Sequence, residues 1–200
     1  MKSEKPNLIL ASQSPRRRYL LEQAGIAVTV IPSDFDEASI APTDPAQYVR
    51  ILAREKAGSV AEYHPDRWVI GADTIVTING AILGKPADAR QAREMLQRLS
   101  GHTHFVYTGY AIVCKNKMAG YAETVKTSVQ FKKLSDAEID WYIQTGEPFD
   151  KAGAYAIQGI GTFLIRRING SYTNVVGLPV CEVVTKLLEL GVVTLNPEGA

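Results

Sequence analysis

The stretch LILASQSPRRRYLLEQAG, residues 8–25, constrains the fold more than any other, because strand, tight turn and helix follow one another without a spacer. The apolar run from Asn7 to Ser12 predicts a buried strand. Ser14 is a good N-cap, Pro15 suits the first helical position, and Gly25 stops the helix that runs through RRYLLEQA. Further along, VTVIPSDFDE reads as a second short strand entering an acidic loop. Asp44 then caps, and Pro45 opens, a helix to about Ala61 with Val49, Leu52, Ala53 and Val60 on one side.

Later segments change character. Trp68–Ile78 predicts a strand, Asn79-Gly80 a type I′ turn, and AILG a strand that pairs back. Ala92, Met95, Leu96 and Leu99 recur at helical spacing until Ser100-Gly101 ends the run. FVYTGYAIVC and YAETVKTSVQF predict an antiparallel pair, and Ser135 with Glu138 a capping box. GEPFDKAGAYAIQGIG is long for a plain connector. TFLIRRI, a second Asn-Gly turn and a helix from Pro179 to Leu190 complete the chain. Parallel-type units first and hairpins later predict an α/β fold, a mixed twisted sheet with flanking helices. No linker divides residues 1–200, so a single domain is expected.

The chain has 200 residues, 46% of them hydrophobic and 22% charged, enough for a real core. A net charge of +1 gives no global reason to expect a nucleic-acid or membrane-surface binder, so any basic site must be local. Cys114 and Cys181 lie in apolar stretches without metal-like spacing, which predicts reduced core thiols and a reducing compartment. The apolar run near the N-terminus is too short for a signal peptide, and a cytoplasmic protein is expected.

Several residues do not fit their surroundings. Arg16, Arg17 and Arg18 crowd the first turn of a helix, where each cation costs roughly 0.3–1 kcal/mol against the macrodipole. A phosphate bound there reverses the sign of that term, since the turn offers backbone N–H groups and the serines and arginines add charge-assisted bonds. The plain alternative is that long arginines splay into water. Arg17 shares a face with Leu20, Leu21 and Ala24, so it points toward the protein body, whereas Arg18 is placed to pair with Glu22.

Asp73 interrupts WVIGADTIVTI, where an unpaired buried carboxylate would be costly. It could hold a divalent metal, accept a proton from an attacking water, or mark a turn at a strand end. Lys56 falls on the buried line of its helix, as a ligand or as a snorkelling side chain. Lys85 follows a strand, where loops carry ligand contacts or ordinary surface lysines. Asp34, Asp36 and Glu37 form a solvated turn or supply a second metal contact. His102 and His104 alternate along a strand with no third zinc ligand near them. GIGTFL lacks the third glycine of a dinucleotide fingerprint, and no P-loop is present.

Taken together, LASQSPRR, the lysine of LAREKA, VIGADTIV, GKP, LSG, DKAGAYAIQG and INGSYTNVVGLP resemble the Maf family of nucleotide pyrophosphatases in order and spacing, over roughly Leu8 to Leu190. The resemblance implies an inosine-triphosphatase-like fold with two lobes around a cleft. It also implies hydrolysis of nucleoside triphosphates to monophosphate and pyrophosphate, dependent on Mg2+ or Mn2+. Ser12, Arg16 and Arg17 match the family's phosphate-binding segment, Lys56 and Lys85 its basic residues, Glu37 its acidic position, and Asp73 its proton acceptor. Glu37 and Asp73 are the implied metal ligands, and Thr74 and Gln158 match positions tied to substrate choice. AGAYAIQG is similar to the branch acting on dTTP and UTP. The expected partner is the nucleoside triphosphate, with no stable nucleic acid and no membrane, and a homodimer is compatible.

Two other classes are also compatible with these residues. A non-catalytic nucleotide- or nucleic-acid-binding regulator would keep the arginine nest but leaves Asp73 unexplained, since a carboxylate without a metal repels phosphates. A different phosphohydrolase would release orthophosphate instead.

Overall fold

A computed structural model describes residues 7–194. One mixed sheet carries the fold, with strands in the order β2-β1-β3-β5-β6-β7 and β4 paired to β3. These are β1 (Leu8–Leu10), β2 (Thr29–Val30), β3 (Trp68–Ile78), β4 (Ala81–Leu83), β5 (Thr103–Cys114), β6 (Ala119–Phe131) and β7 (Ile165–Asn169). β1 runs parallel to both β2 and β3, whereas β4 and β7 are antiparallel to β3 and β6. The mixed α/β sheet expected from the element order is therefore present. The chain divides into two compact units: one takes in the residues up to Asp73, 108–124 and those from Gly177 on, the other 74–107 and 125–176.

In the first unit, β1 leads through residues 11–14 into α1 (Pro15–Gln23), and Gly25 follows in the left-handed region at φ 73°. β2 is shorter than the sequence suggests, because Pro32 has no N–H to extend the ladder beyond Ile31. The long helix of this unit is α2 (Pro45–Tyr63), capped by Asp44, whose Oδ1 accepts from the N–H groups of Ala46 and Gln47. Ala53, Ala57, Val60 and Ala61 of α2 pack with Ile9, Ala11, Val69 and Ala111.

Helix and sheet come unusually close here. A Cβ added to Gly71 would stand 2.2 Å from the Ala53 carbonyl oxygen, and one added to Gly109 2.2 Å from that of Val49. The backbone of α2 thus rests directly on the sheet at two glycines, which fixes where Lys56 projects. The unit ends with α6 (Val180–Glu189). Cys114 is buried, but Cys181, in the first turn of α6, is exposed; the expectation of two core thiols holds for one of them, and both are free.

The second unit holds the rest of β3, the hairpin to β4, α3 (Ala89–Leu99), α4 (Asp136–Gln144), β7 and α5 (Tyr172–Val176). Asn79 and Gly80 both have positive φ, at 50° and 77°, as a type I′ turn requires. Ala92, Met95, Leu96 and Leu99 are all buried and join Val76, Ile78, Leu83 and Phe131 in the core. The capping box of α4 forms as expected, with Ser135 and Glu138 exchanging bonds.

His104 is fully buried in this core, with its ring edge-on to both Phe131 and Tyr155. Its Nε2 lies 2.7 Å from the Tyr155 hydroxyl, so it forms no zinc pair with the exposed His102. Between α4 and β7 the glycine-rich stretch winds through three 3-10 turns, Glu147–Asp150, Ala152–Ala154 and Gly159–Leu164. β7 accordingly begins only at Ile165.

Candidate active site

The arginines of α1 are built on the strand before them. Ala11 N–H donates to the Ile70 carbonyl of β3 at 2.8 Å, which fixes the entry into the turn, and Ser14 N–H donates to Ser12 Oγ at 3.2 Å. The same Ser12 oxygen accepts from Arg17 Nη1 at 3.1 Å, while Arg17 Nε donates to the Gly177 carbonyl at 2.8 Å. Arg17 is therefore held inward at a fixed orientation. Burial lowers its pKa; Asp73 and, more weakly, Glu37 oppose that, and Arg16 adds to it, which places all four side chains in one electrostatic neighbourhood. A guanidinium keeps its charge against such a shift. Arg18 instead pairs with Glu22 at 2.6 Å on the exposed face, as helical spacing predicts.

Lys56 reaches inward from α2 with only 11% of its side chain exposed. Its ammonium lies 2.7 Å from Asp73 Oδ1 and 2.7 Å from Glu37 Oε1. Asp73 is buried in the middle of β3, which rules out a turn at a strand end. Glu37 starts a short 3-10 turn, Glu37–Ser39, capped by Asp36. Two carboxylates from distant segments thus meet at one cation, and the ammonium offsets their mutual repulsion.

Tyr48 stands within electrostatic reach of Asp73 and Glu37 and is not among the residues that the sequence singles out. It stands eight residues before Lys56 on α2, with Leu52 between them, and that spacing is the one signal available. Burial first, then the charges of Asp73 and Glu37, raise the pKa of its phenol, so it stays protonated beside them.

Among the described residues no cluster of three or more His, Cys, Asp or Glu side chains could enclose a metal ion. Two carboxylates do suit Mg2+, which takes one or two from the protein and completes its octahedron with water and substrate phosphates. The donor set of Glu37 and Asp73 fits that use and does not fit a closed zinc site.

Of the remaining expected residues, Thr74, Lys85 and Gln158 belong to the second unit. Thr74 follows Asp73 along β3 and so faces the opposite side of the strand. Lys85 is exposed in the loop after β4. That loop is tied to the glycine-rich stretch, since Gly153 N–H donates to the Gly84 carbonyl at 3.0 Å. Gln158 is half-buried between two of the 3-10 turns and lines a hollow of about 470 Å³ with Ile157, Thr162, Ile165, Ile168 and Tyr172.

Known proteins resemble this chain over nearly the whole of its length. A family model described as "Maf-like protein" matches residues 7–190. A dTTP/UTP pyrophosphatase of Syntrophus aciditrophicus is 49% identical, covering 94% of this chain and 92% of its own. Another, of Syntrophotalea carbinolica, is 53% identical over 94% of this chain and 86% of its own. A third, of Geotalea uraniireducens, is 50% identical over 96% of this chain and all of its own length. Among solved structures, the Staphylococcus aureus Ham1 protein matches 92% of this chain and 98% of its own with a TM-score of 0.49 at 14% identity. The family model and the relatives cover the strand-turn-helix that holds Arg17, the strand that holds Asp73 and the helix that holds Lys56, and this chain belongs to the Maf family.

Proposed function

We propose that the chain hydrolyses dTTP and UTP to the monophosphate and pyrophosphate, the activity for which its curated relatives are named. The observation that carries the chemistry is the sharing of Lys56 between Glu37 and Asp73, beside an arginine braced by Ser12. A triphosphate brings several negative charges, and Arg16, Arg17 and Lys56 answer them at the end of a helix whose dipole has the same sign. Ser12 orients Arg17 and offers its own hydroxyl to a phosphate oxygen.

Asp73 is the proton acceptor in this reading. Its Oδ1 is held by Lys56, and Oδ2 takes the proton of the water whose oxygen attacks the α-phosphorus. The bond from that phosphorus to the bridging oxygen breaks, and its electron pair leaves with pyrophosphate. Glu37 and Asp73 would hold a Mg2+ or Mn2+, which when bound neutralises charge on the phosphate oxygens. Lys85 contributes a further phosphate contact, and Thr74 and Gln158 select the base, the Gln158 amide having both a donor and an acceptor for a pyrimidine edge. The role in the cell is removal of canonical or modified pyrimidine triphosphates in the cytoplasm, where free thiols persist.

The test is a product analysis of the purified protein with dTTP, UTP, CTP, GTP and 7-methyl-GTP, in Mg2+ or Mn2+, beside Asp73→Asn. The expected result is pyrophosphate from dTTP and UTP, with turnover in the variant reduced by about 10²–10⁴-fold. Orthophosphate as the product would assign another phosphohydrolase, and binding without turnover would assign a regulator.

A further inference from the structure

Gln158 stands in a chain reversal whose other members are nearly all tied down. Ala156 N–H donates to the Tyr142 hydroxyl oxygen at 3.0 Å. Ile160 N–H donates to Glu147 Oε2 at 3.0 Å, and Gly161 N–H to Glu147 Oε1 at 2.8 Å. The fully buried Tyr142 donates its own proton to Glu147 Oε1 at 2.8 Å, so one carboxylate and one phenol grip the chain on both sides of Gln158. Thr162 adds a bond from its hydroxyl to the Gly159 carbonyl at 2.7 Å.

The glycines show how closely the loop is drawn around the carboxylate. A Cβ on Gly159, which has φ +75°, would stand 2.5 Å from Glu147 Oε2. One on Gly161 would stand 2.6 Å from the Tyr142 hydroxyl and 3.1 Å from Glu147 Oε1. Glu147 therefore occupies the space of a side chain at Gly159, while the Ala156 carbonyl at 2.3 Å and the Tyr142 hydroxyl close off that at Gly161. Gln158 itself has no side-chain partner among the described residues. An amide that must read a base edge has to be held to within about 0.5 Å by groups other than the base.

We propose that Glu147, braced by Tyr142, is a positioning residue that fixes the backbone from which the Gln158 amide projects, for selection of the pyrimidine base. This role rests on Gln158 reading the base in a nucleoside triphosphatase. A carboxylate can accept both backbone N–H groups, one at each oxygen, whereas the isosteric amide can accept only one and turns a donor toward the other. Glu147→Gln should thus release one of the two bonds and Glu147→Ala both.

The experiment compares kcat and KM for dTTP, UTP, CTP and GTP in the wild type, Glu147→Gln, Glu147→Ala, Gln158→Ala and the double variant Glu147→Ala/Gln158→Ala. The expected result is a dTTP-to-GTP ratio of kcat/KM lowered about tenfold or more in Glu147→Ala, in line with the cost of a displaced contact. Glu147→Gln should lie between it and the wild type, and the double variant should discriminate no worse than Gln158→Ala alone. An equal loss for every substrate, an unchanged ratio in Gln158→Ala, or multiplied effects in the double variant would overturn the proposal.

Amide hydrogen exchange at Ile160 and Gly161 reads the clamp without turnover. Faster exchange in Glu147→Ala supports it, and unchanged protection overturns it. A wild-type protein that hydrolyses no triphosphate would instead overturn the pyrophosphatase reading, and the exchange measurement would still decide the clamp.

Discussion

The His104 ring is held neutral by its surroundings, since loss of hydration lowers its pKa from an ordinary 6.5 to about 4. Its Nδ1 is buried with no hydrogen-bond partner among the described residues, so a second ring proton would gain nothing locally. The consequence for stability has a definite sign. The unfolded chain takes up the proton first as the pH falls below 6.5, whereas the folded chain does so only near 4. Stability is complete above the higher value, declines through the window and levels off below the lower one, by about 3 kcal/mol in all at ~1.4 kcal/mol per unit. Urea unfolding of the wild type and of His104→Gln at pH 7 and pH 4.5 measures this, and the variant should lose distinctly less between the two.

The same scale shows what single residues disclose in advance. The inward turn of Arg17 follows from the leucines on its helix face, and the pairing of Arg18 from its distance to Glu22. The Gly177 carbonyl that anchors Arg17 lies 160 positions away, and a backbone acceptor leaves no mark in a sequence. Lys56 is placed inward by helical spacing, but its division between two carboxylates depends on how three segments meet. Glu147 looks like one more surface acid until the two N–H groups it accepts are seen.

At the scale of elements, the seating of α2 matters most. Gly71 and Gly109 let its backbone lie against the sheet, and a methyl group at Gly71 would also approach Ala57 N to 2.7 Å. Gly71→Ala must push the helix away, at a cost of about 1–3 kcal/mol for overpacking. It also moves Lys56 relative to Asp73, so kcat/KM should fall even at temperatures where the variant is fully folded. Asp44→Ala supplies the contrast: loss of the cap costs about 1 kcal/mol but leaves the seat intact, and its activity when folded should stay near wild type. Thermal melts paired with dTTP turnover separate the two.

Elements with a strong local pattern are legible in the sequence. The hairpin at Asn79-Gly80, the apolar face of α3 and the capping box of α4 each depend on residues a few positions apart. The course of the glycine-rich stretch is not, because its shape comes from distant partners such as Gly84 for Gly153 and from short turns without periodicity. The α/β class itself is carried by element order, and the family by motifs along nearly the whole chain.

For the whole molecule, the connectivity is decisive. β3, β5 and β6 each give residues to both units, with the divisions after Asp73, Tyr107 and Thr124 inside strands. Neither unit is a continuous segment, and a strand cannot keep half of its ladder cooperatively while the other half melts. Unfolding should therefore be a single transition. Trp68 reports on the first unit and Trp141 on the second, so Trp141→Phe and Trp68→Phe each leave one probe. Their fluorescence midpoints in urea should match the circular-dichroism midpoint of the same variant, and separated midpoints would show two cooperative domains.

The two carboxylates that share Lys56 stand on supports of different kinds. Asp73 belongs to a buried eleven-residue strand, whereas Glu37 sits on a three-residue turn with more than half of its side chain exposed. Changes around Asp73 are judged twice, by the core and by the chemistry, and few can survive both. Residues 36–39 are all exposed, and changes among them are judged mainly by the chemistry. Inheritance should therefore hold the strand still and let the turn drift, and a laboratory selection for altered cation or nucleotide preference should find its first successes in that turn.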